Sequence, residues 1–277
     1  MGGRVDWYTP HFETLIRRLV LLCSIPKILG FTTHGKAFLK QQPAETSQEL
    51  RALYALDAIY EGRSFHADET AHQQNKAQKD VYNETGDGAA SVYGEMQPSA
   101  VLEMFRVTGI KEGQKYYDLG SGYGKTVVLA WLRGLNATGV ELSSDRWHGS
   151  CQALKRSPDA GVSGPGNGIR FIRANFFDVD FLDADLVFLN SVMFSDETMQ
   201  SLARIARNLK PGSKIVSSHM GLPGYGFRKI GELKGSVSWT NRNSRWTIQT
   251  PVAREAKTSS PDPHKAGHSS YSDTCTL

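Results

Sequence analysis

The chain has 277 residues, of which 39% are hydrophobic, 10% aromatic and 22% charged. This is ordinary globular composition, and it excludes a wholly disordered chain, a collagen-like fibre and a coiled coil. The formal net charge of +4 is too small by itself to indicate a nucleic-acid partner. No apolar run is long enough to predict a membrane-spanning helix.

The N-terminal part contains one stretch that is similar to a targeting signal. Residues 19–25 are apolar and follow Arg17 and Arg18, but the stretch lies behind acidic residues and is closed by Pro26 and Lys27. An amphipathic surface helix therefore accounts for it better than a signal peptide.

The cysteines are few and far apart. Cys23, Cys151 and Cys275 form no CxxC or Cys/His cluster, which argues against a zinc site. Their odd number and wide spacing also argue against a disulfide scaffold, so a reducing compartment is the simplest interpretation.

Three regions follow one another along the chain. Residues 1–90 are expected to form a mostly helical extension, in which 49–61 is good helix material. Residues 91–252 carry a regular alternation of strands and helices, and the Ser/Pro/His/Lys-rich residues 253–277 are expected to be a disordered tail. In chain order, the predicted strands are 115–119, 137–142, 169–174, 184–189 and 214–218, and the predicted helices are 99–107, 126–135, 145–155 and 197–209.

This alternation predicts an α/β fold. Strands separated by helices form a parallel sheet with right-handed crossovers. Two further segments, 236–239 and 245–250, are predicted to form a β-hairpin that adds antiparallel strands at one end of the sheet.

The first predicted strand ends in a glycine-rich loop, and the spacing of its glycines limits which class of ligand it can bind. Residues 118–126 read DLGSGYGKT. A Walker A loop needs four residues between its first glycine and the Gly-Lys-Thr, and a dinucleotide fingerprint needs a third glycine where Lys125 stands, so both fail. Glycines here let the backbone approach a small amino-acid group closely. Asp118 can accept from an amine, and Glu141 at the next strand end suits ribose hydroxyls.

With the turn at residues 209–212 before the fifth strand, this pattern resembles the class I S-adenosylmethionine-dependent methyltransferases. That Rossmann-like fold holds its cofactor over the carboxyl ends of the strands.

Three further motifs narrow the resemblance. They read VYGE at 92–95, FLNSVMF at 188–194 and KGSVSWT at 234–240. In this order they resemble the Dot-type (disruptor of telomeric silencing) histone methyltransferases, non-SET enzymes that methylate a core lysine of histone H3, the lysine-79 class. The resemblance spans about residues 92–250, and KGSVSWT is its most specific element.

The resemblance implies S-adenosyl-L-methionine as cofactor and assigns its binding to residues of the loops that surround it. These are Tyr93, Glu95, Asp118, Gly120, Ser121, Gly122, Lys125, Glu141, Asn175 and Phe176. Lys125 departs from the family, which commonly has glutamine there, and Met96 and Asn175 depart as well.

The resemblance also implies a channel for the incoming lysine. Asn190 matches the asparagine beside the transferring methyl group, and Phe194, Trp239 and Trp246 are the candidate channel aromatics. An apolar channel lowers the pKa of a lysine from about 10.4, which helps to supply the neutral amine that the reaction needs. The family places the protein in the nucleus with nucleosomes and histone H3 as partners.

A cluster of basic residues near the predicted hairpin fits such a partner. It comprises Arg228, Lys229, Lys234, Arg242 and Arg245, and it suits non-specific contact with DNA phosphates, although a solvated charged face is the simpler alternative. Two other functions remain open: a methyltransferase of the same fold that acts on a small molecule or a non-histone protein, and a non-catalytic binding module.

Overall fold

The structure is a computed structural model that describes residues 48–62, 94–159, 162, 168–218, 221–224, 226–240, 242–252 and 273–277. The helices are α1 (Gln48–Ile59), α2 (Pro98–Thr108), α3 (Lys125–Leu132), α4 (Ser144–Arg156) and α5 (Asp196–Ala206). The strands are β1 (Lys115–Leu119), β2 (Asn136–Glu141), β3 (Ile169–Arg173), β4 (Leu186–Leu189), β5 (Lys214–Ser218), β6 (Phe227–Gly235), β7 (Ser244–Pro251) and β8 (Thr274–Thr276).

The strands form one sheet in the order β6-β7-β5-β4-β1-β2-β3-β8. Strands β1 to β5 are parallel, and β7 and β6 extend the β5 side as antiparallel strands. The fold is therefore the class I, Rossmann-like methyltransferase fold, as predicted. Because β1 lies between β2 and β4, the strand order reverses there and a crevice opens at the carboxyl ends of the strands.

Two hydrophobic cores lie on opposite faces of the sheet. Alternate residues of a strand point to opposite faces, so Tyr116 of β1 enters one core and Tyr117 enters the other. Helices α1 to α4 cover the first face, and α5 covers the second. Helix α3 is apolar nearly all round, with Val127 to Trp131 buried, because α1 packs over it.

The helix predicted at residues 49–61 is confirmed as α1. Most of the predicted extension, residues 1–47 and 63–90, lies outside the described residues. In the described parts of the chain, no helix has the length and apolar character that a bilayer crossing requires.

The terminal hairpin is confirmed, but its first arm was placed wrongly. The observed arm is β6, which pairs with β7 from Gly235↔Ser244 to Phe227↔Pro251. Residues 236–239 follow β6 and approach residues 95–97 instead, through a bridge between Val237 and Met96. The sheet therefore ends in a longer hairpin than the sequence indicated.

The expectations of a disordered tail and of no disulfide need correction at the C-terminus. Thr274–Thr276 form β8, which pairs antiparallel with β3, and Asp273 receives a hydrogen bond from Arg173 at 3.0 Å. Cys275 is disulfide-bonded to Cys151 of α4, with their Cα atoms 5.9 Å apart. The pairing joins positions 124 residues apart, so spacing along the sequence gave no sign of it.

Candidate active site

A cavity of about 250 Å³ opens at the carboxyl edge of the sheet, where the strand order reverses. Nearly every sequence-predicted site residue in the described parts of the chain lines it. These are Glu95, Asp118, Gly120, Ser121, Gly122, Lys125, Glu141, Asn175, Phe176, Asn190, Phe194 and Trp239. The loops after β1, β2, β3 and β4 thus meet in one place, as parallel strands require.

The glycine loop forms the floor of the cavity. Gly120, Gly122 and Gly124 all have positive φ angles, of 90°, 57° and 79°, which a side chain would strain. Gly124 also needs to lack a side chain because a Cβ there would come within 2.4 Å of the Phe171 ring. The chain then enters α3 at Lys125.

The carboxylate of Glu141, at the end of β2, fixes this loop. Its Oε2 accepts from the Gly122 amide and its Oε1 from the Ser143 amide, both at 2.8 Å. A carboxylate oxygen can accept more than one hydrogen bond, so these amides do not exhaust its capacity. Glu141 lines the cavity, so the predicted ribose-binding acid is positioned by backbone donors.

Asp118 presents a buried carboxylate to the cavity with part of its hydrogen-bonding capacity unused. Its Oδ2 accepts a short hydrogen bond from the Thr126 hydroxyl. Its Oδ1 is buried and has no hydrogen-bond partner among the described residues. Burial raises the pKa of Asp118 to about 7, while the bond from Thr126 lowers it and the Glu141 carboxylate raises it. A buried acceptor without a donor is costly, so the site complements a ligand that brings a cationic N–H.

A buried ion pair forms one wall. Lys125 Nζ lies 2.7 Å from Glu95 Oε2, and their side chains are only 9% and 11% exposed. The pair joins α3 to the segment before α2, and both residues line the cavity. Lys125 therefore places a positive group on the wall of the cavity that Asp118 also lines.

The motifs at 92–95 and 234–240 meet at the mouth of the cavity through their described residues. Glu95 and Ser238 are joined twice: the Ser238 amide donates to the Glu95 carbonyl, and the Glu95 amide donates to the Ser238 hydroxyl, each at 2.9 Å. The Gln97 amide donates to the Ser236 carbonyl at 3.0 Å. The pairing explains why motifs about 140 residues apart in sequence belong to one site, and it carries Trp239, 37% exposed, to the opening.

Asn190 joins the same assembly from the end of β4. Its Nδ2 donates to the Gly94 carbonyl at 2.8 Å, and its Oδ1 accepts from the Ser218 hydroxyl at 3.3 Å. The side chain is therefore held on both sides. Among the described residues Oδ1 has this one donor, so it can accept a second from an incoming group.

Aromatic rings form another part of the cavity lining. Phe176 lies in a short 3₁₀ helix after β3, and its ring centroid is 5.6 Å from that of Phe194 and 4.7 Å from that of Phe177. Asn175 caps this turn by accepting from the Phe177 amide at 3.0 Å. The wall can receive a flat ring beside a polar amide.

One predicted residue of the described chain lies elsewhere. Trp246 does not line the cavity: it is 0% exposed and lies in the core beneath α2, so its assignment to the channel is wrong. Trp246 and Ile248 are alternate residues of β7, so their side chains point to the same face of the sheet. That face packs into the core, and the indole of Trp246 therefore points away from the site. Tyr93 lies outside the described residues.

The sequence pattern did not reveal several lining residues. Arg146 of α4 is 6% exposed and faces the cavity, although an arginine on a polar helix gave no sign of burial. Met193, 39% exposed, lies at the opening, one residue before Phe194. Their side-chain types fit a solvated surface equally well, so only the fold reveals their place.

Comparison with known proteins shows which family the chain is similar to. The family model described as "Histone methylation protein DOT1" matches residues 74–224. A "Protein-lysine N-methyltransferase" of Saccharolobus islandicus (strain REY15A) is 26% identical over 133 residues, 47% of this chain and 77% of that protein.

Fungal relatives match a smaller share of their own length. A "Histone-lysine N-methyltransferase, H3 lysine-79 specific" of Aspergillus fumigatus is 26% identical over 200 residues, 62% of this chain and 39% of that protein. One of the same name from Emericella nidulans is 28% identical over 151 residues, 47% of this chain and 28% of that protein. The chain thus spans well under half the length of these fungal relatives. With the family model covering more than half of its residues, the chain belongs to the DOT1 histone methylation family.

Proposed function

We propose that this chain is an S-adenosylmethionine-dependent protein-lysine methyltransferase that acts on a core lysine of histone H3, of the lysine-79 class, in nucleosomes. The observation that carries the proposal is Oδ1 of Asp118, which is buried without a hydrogen-bond partner among the described residues, in a cavity that Trp239 and Asn190 also line. The first feature fits the ammonium of the cofactor, and the second fits an incoming amine.

The donor set suits each part of the cofactor. Asp118 would pair with its ammonium, and Lys125 lies where it can meet the carboxylate of the same amino-acid end. The Glu141 carboxylate can accept from ribose hydroxyls. Asn175 and Phe176 supply an amide and a ring face for the adenine. When bound, the cofactor supplies an electrophilic methyl group on a sulfonium.

The chain's own contribution to the reaction is alignment and desolvation. A lysine ammonium has an ordinary pKa of about 10.4, so at neutral pH only a small fraction is the neutral nucleophile. Entry between Phe194 and Trp239 removes water from the ammonium and lowers its pKa. Asn190 Oδ1 can accept from the amine and hold its lone pair in line with the methyl group. No side chain in this arrangement has to act as a strong base.

The substrate assignment is supported by the names of the fungal relatives and by charge. Arg228, Lys229, Lys234, Arg242 and Arg245 are all exposed on or beside the β6–β7 hairpin, and we call them the hairpin basic surface. Lys234 and Arg245 lie directly opposite each other in the strand register. Such a surface suits contact with DNA phosphates near the target lysine, and this partner implies a nuclear protein.

Transfer of labelled methyl groups tests the proposal. Intact nucleosomes, free histones and a cell extract are compared as acceptors, with Asp118→Asn as the cofactor-binding control. We expect label on histone H3 in nucleosomes. Label confined to a non-histone protein or a small molecule in the extract would move the substrate to that class, and no label anywhere together with no cofactor binding would indicate a binding module.

A further inference from the structure

Helix α1 precedes the 74–224 match to the family model, and the residue that follows it contacts Lys125, which lines the cavity. Tyr60 follows the last residue of α1 and is 7% exposed. Arg156 of α4 donates to the Ile59 carbonyl at 2.8 Å and so fixes the end of the helix. Tyr60 is therefore held from both the α1 and the α4 side.

Tyr60 contacts the glycine loop and the ion pair at once. Its hydroxyl donates to the Tyr123 carbonyl at 2.7 Å, inside the loop. Lys125 Nζ lies 5.7 Å from the centroid of its ring, within the range of a cation–π contact. The same ammonium also meets Glu95 at 2.7 Å. The cation is thus held by both a ring and a carboxylate.

The protonation of Tyr60 agrees with this geometry. Burial raises the pKa of Tyr60 well above its ordinary value, and the Glu95 carboxylate raises it further, while Arg156 lowers it. The hydroxyl consequently keeps its proton and donates throughout the physiological range. The ring face remains electron-rich toward Lys125.

We infer that Tyr60 is a positioning residue that aims the Lys125 ammonium at the carboxylate of the cofactor's amino-acid end, which makes α1 part of the cofactor site. The inference rests on the proposed function, because it takes S-adenosylmethionine as the ligand. A long, flexible lysine loses much side-chain entropy when it is ordered. Because contacts with Tyr60 and Glu95 order Lys125 before the cofactor binds, binding does not have to supply that entropy cost.

Binding of two ligands distinguishes a positioning role of Tyr60 from a role in packing alone. S-adenosylhomocysteine carries the amino-acid end, whereas 5′-methylthioadenosine lacks it. Calorimetric titration of the full chain with both ligands compares the wild type, Tyr60→Leu, Tyr60→Phe and Lys125→Gln. Tyr54→Phe, a tyrosine change on the same helix, is the matched control, and thermal unfolding monitors the fold of each variant.

We expect Tyr60→Leu to weaken S-adenosylhomocysteine binding about five- to tenfold and to leave 5′-methylthioadenosine binding within about twofold. Tyr60→Phe keeps the ring, so it should lose only about two- to threefold, and it serves if the leucine variant does not fold. In a Lys125→Gln background, Tyr60→Leu should have no further effect, because the interaction it disrupts is already gone.

Equal losses for both ligands, or none for either, would overturn the inference, as would full additivity with Lys125→Gln. If the wild type bound neither ligand, the proposed function would fail, and this inference with it. If the wild type bound S-adenosylhomocysteine more tightly than 5′-methylthioadenosine, and the Tyr60 variants bound both ligands as the wild type does, only the inference would fail.

Discussion

The indole of Trp239 packs directly on Gly94, so closely that a Cβ built on Gly94 would lie 2.4 Å from Cε3 of the ring. The same Gly94 carbonyl accepts from Asn190, so one residue without a side chain supports both the ring and the amide at the cavity mouth. The absence of a Cβ here is a steric requirement of the site.

Gly94→Ala should therefore displace Trp239 and lower methyl transfer about tenfold or more, since misplacement by about 1 Å is costly to an aligned reaction. Cofactor affinity should change by less than about threefold. Transfer rates and calorimetric titration measure the two effects. A Gly168→Ala variant is the control, because a Cβ on Gly168 meets nothing within 4 Å. Unchanged transfer in Gly94→Ala would contradict the assigned role of Trp239.

Cofactor binding should depend on pH through Asp118. Burial raises the pKa of Asp118 to about 7, and only the ionised carboxylate attracts an ammonium. Below about pH 7 the affinity should fall toward tenfold per pH unit, because the protonated form is then the stable one. Above about pH 8 it should fall again as the ligand's own α-amino group loses its proton.

Titration of the wild type and Asp118→Asn across this range tests the assignment. The variant should bind more weakly at the optimum and lose the fall in affinity below about pH 7. Its fall above about pH 8 should flatten, because the uncharged amide no longer attracts the ammonium. If cofactor affinity still fell below about pH 7 in Asp118→Asn, another titrating group would be responsible for the fall.

Asn190→Ala should lower the rate of methyl transfer at saturating cofactor about ten- to a hundredfold, because the amine loses its orienting acceptor and Gly94 loses a hydrogen bond. Ser191→Ala is the matched control: Ser191 is the next residue, and its buried hydroxyl has no partner among the described residues. Steady-state kinetics separate rate from affinity. Equal effects of the two substitutions would argue against a specific role for Asn190.

The two tryptophans of the hairpin region should respond in opposite ways. Trp246→Ala empties a fully buried site and should reduce the free energy of unfolding by about 3–5 kcal/mol. Trp239→Ala removes a ring that is 37% exposed at the cavity mouth, so stability should change by less than about 1 kcal/mol while transfer falls. Denaturant unfolding and activity assays report both quantities, and a stable, inactive Trp246→Ala would reverse their assignments.

The hairpin basic surface should give nucleosome binding a steep dependence on salt. Replacing Lys234 and Arg245 with serine should weaken binding at low salt and reduce the slope of log affinity against log salt by about 0.9 for each phosphate that is no longer neutralised. Lys111→Ser, which changes an exposed lysine in the segment before β1, is the control. If the slope of log affinity against log salt did not change in this variant, the hairpin basic surface would be a solvated face that does not contact DNA.

Much of the central fold could be predicted from the sequence, because β1 to β5 are short, buried runs between helices. The first hairpin arm could not be predicted, because β6 is an edge strand in which four of nine residues are charged and five are exposed. It therefore lacks the apolar alternation that marks a half-buried strand. Trp246 was assigned to the wrong face because an aromatic residue suits either side of a strand, and register decides which side it takes.

The cofactor loop was predictable since glycine spacing and strand-end acids are local signals. The contributions of Tyr60 and Arg146 were not, because their positions depend on how helices α1 and α4 pack. The same holds for β8, whose three residues pair with β3 only in the folded chain.

The bond between Cys151 and Cys275 closes a covalent ring that contains β3 to β7 and therefore much of the cavity wall. A protease that cuts the backbone once between these cysteines would not release a fragment. The nicked chain would migrate as one molecule in a denaturing gel and separate into two pieces only after treatment with a thiol.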